Sequence, residues 1–295
     1  MGFALAFVAM LCFASNILVT RYAIARMPVN AGFFVVLATN ILFPAMLFAV
    51  ELSARAAPHA WRWKEAGLFA LTGVIGMFLG RRFLFDAVRL LGPSRASVFH
   101  STAPAFALVG AWLLADERLG AYEILLMAVV WTGLWFTKPR AAGAGTVSGA
   151  AMRKGMLAGL LTVAGFGFSN VVRGLAMHGW DEPVLGTVIG SISALACQTA
   201  VTRDWGGIAR RLRAADRGAI GLYIGCGVFT SLGAIFIAAS MNHMEIALAV
   251  LVVHTTPLVI FPVSVWVLKN REDLTTRTLL GALLVLSGIA LLAFR

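Results

Sequence analysis

Long apolar runs separated by short polar connections extend over the whole chain. Their lengths, about 17 to 23 residues, match the roughly 20 that a helix needs to cross a hydrocarbon core about 30 Å thick. Because the runs are continuous rather than alternating, they favour helices over the strands of a β-barrel. The pattern predicts ten transmembrane helices, at 2–20, 30–50, 66–86, 96–115, 120–137, 155–172, 184–202, 218–239, 246–268 and 278–294. The predicted fold class is therefore an all-α membrane protein.

The composition agrees with this pattern. Hydrophobic residues make up 60% of the 295 and charged residues only 13%, whereas a soluble domain has about 25% charged residues. The net charge of +11 does not indicate a nucleic-acid partner, because the basic residues lie at the ends of the predicted helices, where loops meet lipid headgroups. We expect membrane lipid, and no nucleic acid, as the chain's environment.

The two halves of the sequence resemble each other. The matching features recur at offsets of 153 to 155 residues: "FASN" at 13–16 with "GFSN" at 167–170, Pro104 with Pro257, "DERL" at 116–119 with "REDL" at 271–274, and Gly133 with Gly288. This spacing predicts two five-helix repeats, 1–140 and 154–295, joined by a linker at 141–153. Because five is an odd number, the second repeat must enter the membrane in the opposite orientation.

An inverted repeat indicates a carrier. Two similar units about a two-fold axis in the membrane plane can exchange conformations and expose a midplane site to each side in turn. Internal pseudo-symmetry of this kind makes a monomer sufficient. The alternative is that the duplication only enlarged a helical bundle.

The distribution of basic residues predicts the orientation. Odd-numbered connections contain 18 of the 24 lysines and arginines, and even-numbered connections with the C-terminus contain six. Setting aside Arg81 and Arg82, which fall within a predicted helix, leaves 16 against six. Because cytoplasmic loops are enriched in Lys and Arg, the count predicts that both termini lie outside the cytoplasm.

Polar residues inside predicted helices are costly, so they are the candidates for binding a polar cargo. Asn16 is matched by Asn170, and the run His100, Ser101, Thr102 is matched by His254, Thr255, Thr256. An amide, a neutral imidazole and hydroxyls suit a zwitterion or another small polar metabolite. The predicted substrate-binding residues are Asn16, Phe78, Phe85, His100, Ser101, Phe168, Asn170, Arg173, His254 and Thr255, with Pro104 and Pro257 as bending points for gating.

Each of these residues also has a structural interpretation. Serine and threonine often donate to carbonyls of their own helix, including carbonyls freed by Pro104 and Pro257. An asparagine in a membrane helix often bonds a neighbouring helix. A phenylalanine is more often part of the bundle core than of a cavity wall.

Enzymatic chemistry is not indicated. No carboxylate lies in the middle of a predicted helix, and the chain has no nucleophile elbow, zinc-protease motif or P-loop. The cysteines Cys12, Cys197 and Cys226 fall in separate predicted helices and form no C-x-x-C pair, so neither a disulfide framework nor a thiolate metal site is predicted. We expect no catalytic residues, no metal and no cofactor.

Taken together, the five-helix repeat, the spacing of Pro104 to Glu117 and of Pro257 to Glu272, and the glycines Gly133, Gly281 and Gly288 resemble the drug/metabolite transporter superfamily, specifically its ten-helix EamA-type exporters. The resemblance covers essentially the whole chain. It implies a cavity lined by helices 1, 3, 4, 6, 8 and 9, and export of amino acids or other metabolites across a bacterial inner membrane. Family members are commonly drawn with both termini in the cytoplasm, which is the reverse of the charge count.

The hypothesis from the sequence is an inner-membrane exporter of small amphipathic metabolites, amino acids first, that works by alternating access. Asn16, Asn170, His100 and His254 would bind polar groups, and Phe78, Phe85 and Phe168 would shape a side-chain pocket. Two other classes stay open: a membrane sensor or scaffold that does not transport, and a membrane-embedded lipid-modifying enzyme.

Overall fold

The computed structural model describes residues 1–54, 60–91, 102–117, 120–136, 149–256 and 258–260, with positions 280, 281, 283–285, 287, 288 and 291. All regular structure in these residues is helical. The helices are α1 (Gly2–Arg26), α2 (Val29–Ala54), α3 (Trp63–Leu91), α4 (Ala103–Leu114), α5 (Ala121–Phe136), α6 (Gly149–Gly179), α7 (Pro183–Val201), α8 (Trp205–Ala214), α9 (Arg217–Ser240) and α10 (Ile246–His254). Helix α3 contains a π-helical segment, Gly73–Gly80.

Six helices of the described residues are long and apolar enough to cross a membrane: α1, α2, α3, α6, α7 and α9. They confirm the predicted helices 1, 2, 3, 6, 7 and 8. The bounds of five of them are wider than predicted, most of all for α6, and α7 is shifted by one residue. Shorter apolar helices at Ala103–Leu114, Ile124–Gly133 and Ile246–Ile260 correspond to the predicted helices 4, 5 and 9. Most of the tenth lies outside the described residues, so the total of ten stays a prediction.

These helices identify a multi-pass membrane protein. The mean hydropathy of the six long helices is high. Many large apolar side chains on the long and the shorter helices are exposed, among them Leu42, Met46, Trp112 and Leu125. In water such surfaces would be unfavourable, whereas a bilayer solvates them at no cost.

Contacts divide the chain into two compact units. Unit 1 consists of Met1–Phe78 and Val172–His243, and unit 2 of Leu79–Val171 and Met244–Arg295. Each unit takes segments from both predicted repeats. The repeats therefore describe the order of helices along the chain, and the units describe how those helices pack.

In unit 1, two glycines allow aromatic rings to lie directly against a neighbouring helix. A Cβ placed on Gly32 of α2 would overlap Cζ of Tyr223, and one placed on Gly186 of α7 would overlap Cε1 of Phe69. Both rings are buried and cannot withdraw into solvent. Only glycine fits these positions without displacing a ring.

Two further glycines of unit 1 bring helix backbones together. A Cβ on Gly73 of α3 would meet the Gly190 carbonyl oxygen and Oγ of Ser193, both on α7, and one on Gly227 of α9 would lie 2.5 Å from Cβ of Thr39 on α2. Small residues at such crossings are typical of membrane helices, whose association depends on close packing rather than on a hydrophobic driving force.

Unit 2 is built around the packing of α4 against α10. Helix α6 approaches α4 closely, because a Cβ on Gly167 would lie 2.7 Å from Cβ of Phe106. Near the end of the chain, Gly133 lies against Val285, and Gly288 lies against Val130.

Candidate substrate-binding site

The predicted binding residues fall in both units. Asn16, Phe78 and Arg173 belong to unit 1, and Phe85, Phe168, Asn170, His254, Thr255 and Pro104 belong to unit 2. His100, Ser101 and Pro257 lie outside the described residues. The surroundings of each described residue are therefore considered within its own unit.

Unit 1 contains a pocket with Arg173 in its wall. The pocket is small, with a cavity volume of about 10 Å³, which is room for about one water molecule, and it is partly open to its surroundings. Helices α3, α6, α7 and α9 contribute its lining: Phe69, Thr72, Met77, Arg173, Pro183, Gly186, Thr187, Gly190, Ala234 and Ala238. The small side chains of Gly186 and Gly190 on α7 and of Ala234 and Ala238 on α9 leave this space unfilled.

Arg173 introduces a charge into a membrane helix. It lies six residues before the end of α6, whose apolar stretch Met152–Gly179 is long enough to span the bilayer. A guanidinium inside a membrane helix is costly, and such groups mark ligand or ion pathways far more often than they serve packing. Its five N–H donors in a planar fork match the two oxygens of a carboxylate or of a phosphate.

Two hydroxyls share the pocket with Arg173. Thr72 Oγ1 donates to the Phe69 carbonyl oxygen over 2.7 Å, and Thr187 Oγ1 donates to the Pro183 carbonyl oxygen over 2.8 Å. Because each proton is committed to the helix backbone, each oxygen remains as an acceptor only. The pocket thus combines a fixed cation with two acceptors and a wall made of the ring of Phe69 and the thioether of Met77.

Phe78 is buried in a cluster with Phe33, Leu37 and Ala194, against which Met77 also packs. It therefore contributes to the core of unit 1, and Met77 but not Phe78 also lines the pocket.

Asn16 accepts a hydrogen bond within its own helix. Thr20 Oγ1 donates to Asn16 Oδ1 over 3.4 Å and lies 3.3 Å from Sγ of Cys226 on α9. The contact between α1 and α9 is therefore made by Thr20.

Asn40, which the sequence analysis did not single out, is the most buried asparagine of unit 1, with 1% of its surface exposed. With its amide nitrogen directed at α9, it donates to the Gly227 carbonyl oxygen over 2.8 Å and lies 3.2 Å from Oγ of Ser231. It also donates to the Val36 carbonyl oxygen of its own helix over 3.2 Å. Asn40 therefore joins α2 to α9.

In unit 2 the hydroxyls after His254 bond their own helix. Thr255 Oγ1 donates to the Val252 carbonyl oxygen and Thr256 Oγ1 to the Val253 carbonyl oxygen, each over 2.6 Å. His254 Nδ1 lies 2.9 Å from the Val250 carbonyl oxygen. Because a carbonyl can only accept, Nδ1 carries the proton and Nε2 is the acceptor nitrogen of the neutral ring.

The remaining predicted residues of unit 2 lie on α3, α4 and α6. Asn170 Nδ2 donates to the Phe166 carbonyl oxygen one turn earlier, over 3.0 Å. The ring of Phe168 lies against Gly110 of α4, 3.2 Å from the position a Cβ would take there. Pro104 is buried in the first turn of α4, and Phe85 is 44% exposed.

Glu117 has a role that its sequence motif did not reveal. Its Oε1 accepts from the backbone N–H of Ile246 over 2.8 Å, and its Oε2 lies 3.5 Å from the backbone nitrogen of Ala247. These are the first two residues of α10. A carboxylate at this place satisfies N–H groups that no helical carbonyl can reach, and it interacts favourably with the positive end of the helix dipole.

No group of three or more histidine, cysteine, aspartate or glutamate side chains suited to a metal ion occurs among the described residues. The conspicuous chemical feature of the described helices is therefore the arginine pocket of unit 1.

Comparison with known proteins agrees with this architecture. The sequence model of the EamA-like transporter family matches residues 1–138 and 153–294. A solved protein crystal structure has a TM-score of 0.75 to this chain at 16% sequence identity, covering 99% of this chain and 96% of that one. At this identity the likeness concerns the fold alone. No curated protein sequence matches the chain closely enough to count as a relative.

Proposed function

Because the chain belongs to the EamA-like transporter family, we propose that it exports small amphipathic metabolites, amino acids first, across a bacterial inner membrane. The chain would work by alternating access around a cavity near the bilayer midplane. Membership of the family makes the protein a membrane transporter. The cargo, the direction and the mechanism are the proposal.

Arg173 carries the proposal for the cargo. A guanidinium in a membrane helix, lining a pocket with two hydroxyl acceptors and an apolar wall, fits a molecule that has both a carboxylate and an apolar portion. An α-amino acid has both of these. In a conformation of the transport cycle in which this pocket is wider, its carboxylate would pair with Arg173 bidentately, and its ammonium would contact the oxygens of Thr72 and Thr187. The side chain would lie against Phe69 and Met77.

The other predicted contacts remain part of the proposal. Asn16, Asn170, His100, Ser101, His254 and Thr255 would contact polar groups of the cargo as it moves, and Phe78, Phe85 and Phe168 would contact its apolar part. Pro104 and Pro257 would allow their helices to bend during gating.

The glycine contacts support the inverted repeat on which alternating access depends. The contact of Gly32 with Tyr223 has a counterpart at an offset of 154 residues, Gly186 with Phe69, in which the two partners have exchanged repeats. A two-fold axis produces this reciprocal pattern, since residue i of one copy meets residue j of the other and j meets i.

Two more contacts follow the same rule. Gly73 with Ser193 exchanges with Gly227 and Thr39 at an offset of 154 residues. Gly133 with Val285 exchanges with Gly288 and Val130 at an offset of 155 residues. The offsets equal those of the repeated sequence motifs, so motif and packing support the same pair of repeats.

The first experiment is efflux from liposomes. Purified protein is reconstituted in vesicles loaded with a panel of labelled amino acids, and release is compared with that from empty vesicles. We expect saturable release of at least one amino acid. If every member of the panel stays inside, amino acids are rejected as cargo. If an amino acid binds the protein but is never released, the sensor hypothesis takes its place.

The second experiment tests Arg173 with the amino acid released fastest and its carboxamide analogue. The substitution Arg173→Met should lower release of the amino acid about 10- to 100-fold, since a hydrogen-bonded charge pair contributes about 1.5–3 kcal/mol, and should leave release of the uncharged carboxamide unchanged. Arg173→Lys should restore part of the rate. The matched control is Arg153→Met, which removes an exposed cation from the same helix. Equal loss for both cargoes would assign Arg173 to structure rather than to binding.

A further inference from the structure

The short helix α8 has one face fixed to unit 1 and another covered with arginines. Ile208 is buried, and Leu212, four residues later on the same face, packs against the cluster that contains Met27, Val36 and Tyr223. Because its apolar residues are already used by the protein, α8 is held in a defined place and cannot sink into the bilayer as a free amphipathic helix would.

The charges of this connection are strongly unbalanced. Residues 203–217 contain five arginines and two aspartates. Both aspartates serve as helix caps: Asp204 Oδ1 accepts from the Gly207 N–H over 2.8 Å, and Asp216 Oδ1 accepts from the Ala219 N–H over 2.9 Å. The carboxylates are thus directed at backbone N–H groups, whereas the arginines face outward.

A sixth arginine extends this surface. A Cβ on Gly218 would lie 2.8 Å from a guanidinium nitrogen of Arg26 at the end of α1. We name the resulting surface the basic face; its members, all exposed, are Arg26, Arg203, Arg210, Arg211, Arg213 and Arg217.

The basic face lies where membrane helices end. Helix α8 connects α7, which ends at Val201, with α9, which begins at Arg217, and both are long enough to span the bilayer. Trp205 at the start of α8 is half exposed and packs on Phe34 with ring centroids 5.3 Å apart. Tryptophan at such a position is typical of the headgroup region.

We propose that the basic face binds the phosphate groups of anionic phospholipids and so fixes unit 1 in the headgroup layer. Guanidinium groups pair bidentately with phosphate, and a cluster of basic residues beside a membrane helix attracts anionic lipid within a Debye length. Lipid is the fitting partner because the position of α8 between two membrane helices places its arginines at the level of the headgroups.

Lipid binding tests the proposal without any transport assay. Binding of fluorescent phosphatidylglycerol and phosphatidylcholine to the purified full chain in neutral detergent is measured for the wild type and for Arg210→Gln/Arg211→Gln/Arg213→Gln. We expect the wild type to prefer phosphatidylglycerol and the triple substitution to weaken its binding about 100-fold, since each of the three arginines near an anionic surface contributes about fivefold. Binding of phosphatidylcholine should not change.

Two further variants make the result specific. Lys64→Gln/Arg153→Gln/Lys154→Gln removes three exposed charges elsewhere and should leave binding within about twofold of the wild type. Arg210→Lys/Arg211→Lys/Arg213→Lys keeps the charge and should retain most of the binding, which also guards against misfolding of the glutamine variant. Equal weakening in the distant triple variant, or no preference of the wild type for the anionic lipid, would overturn the proposal and leave the proposed cargo untouched.

Discussion

The contact of Gly32 with Tyr223 and the contact of Gly186 with Phe69 have the same geometry and different surroundings. Tyr223 OH donates to the Met27 carbonyl oxygen over 2.8 Å, and its ring belongs to a closed apolar cluster. Phe69 has no hydroxyl, and its ring forms one wall of the arginine pocket. The ring of Phe69 thus borders a small polar cavity, whereas the ring of Tyr223 packs within an apolar cluster.

The counterparts of the pocket residues explain this difference. At an offset of 154 residues, the position equivalent to Arg173 is Val19, which packs against the cluster around Tyr223. The polar pair Asn40 and Ser231 has as its counterpart the apolar pair Ala194 and Met77, which belong to one hydrophobic cluster. In the proposed repeat, these polar residues thus occur in one copy only.

The largest expected effect is at the two ring contacts themselves. Gly32→Ala should lower the free energy of unfolding by about 3 kcal/mol, and Gly186→Ala by about 2 kcal/mol, because each methyl group overlaps a buried ring. The smaller loss at Gly186 is expected because the pocket gives the ring of Phe69 room to move. Unfolding in mixed detergent and dodecyl sulfate micelles measures both values.

Gly221→Ala is the control for these substitutions, since no atom lies within 4 Å of its added Cβ; it should not be destabilised. Equal losses at Gly32 and Gly186 would contradict the idea that the pocket makes the Phe69 contact softer.

A second effect is expected when a residue of one predicted repeat is replaced by its counterpart in the other. The substitution Asn40→Ala introduces the residue found at the equivalent position, Ala194. It should lower the free energy of unfolding by about 2 kcal/mol, because the carbonyl oxygens of Val36 and Gly227 lose a buried donor. The same unfolding assay applies, with Ser53→Ala as control: Ser53 is exposed and donates only within its own helix. A change below about 0.5 kcal/mol would show that the amide does not join α2 to α9.

The smallest effect concerns the hydroxyl that distinguishes the two rings. Tyr223→Phe should cost about 1 kcal/mol, the net contribution of one hydrogen bond, and should leave amino-acid release unchanged. Tyr22→Phe, at a half-exposed site on α1, should cost nothing measurable. If release fell markedly in Tyr223→Phe, the contact of Gly32 with Tyr223 would have to take part in transport.

The sequence was sufficient for the long helices, and the repeat that it predicts agrees with the spacing of the glycine contacts. Apolar runs of membrane length allow few other structures, and offsets of 153 to 155 residues reappear in the glycine contacts. The predicted helix 155–172 was too short, however. It ended just before Arg173 because the charge interrupts the apolar run, whereas the structure continues α6 to Gly179.

The sequence could not predict which side chains meet between helices that are far apart along the chain. Asn40 has no polar counterpart in the predicted second repeat, because the equivalent residue is Ala194. A pattern of repeated polar residues therefore does not include it. Glu117 meets Ile246 across 129 residues, and nothing local in "DERL" indicates that its carboxylate caps another helix. The bonds of Thr255 and Thr256 to their own helix follow the structural interpretation, because such bonds depend only on neighbours three residues away.

Reciprocal contacts also bear on how such a chain could arise. In a half-length ancestor that paired with a second copy of itself, a single glycine and a single ring would serve both contacts at once. Fusion of the two copies would remove that constraint and let each ring change alone. Tyr223 and Phe69 would then derive from one ancestral residue. Tyr223 would have remained in a packed apolar cluster, and Phe69 would have come to line a pocket.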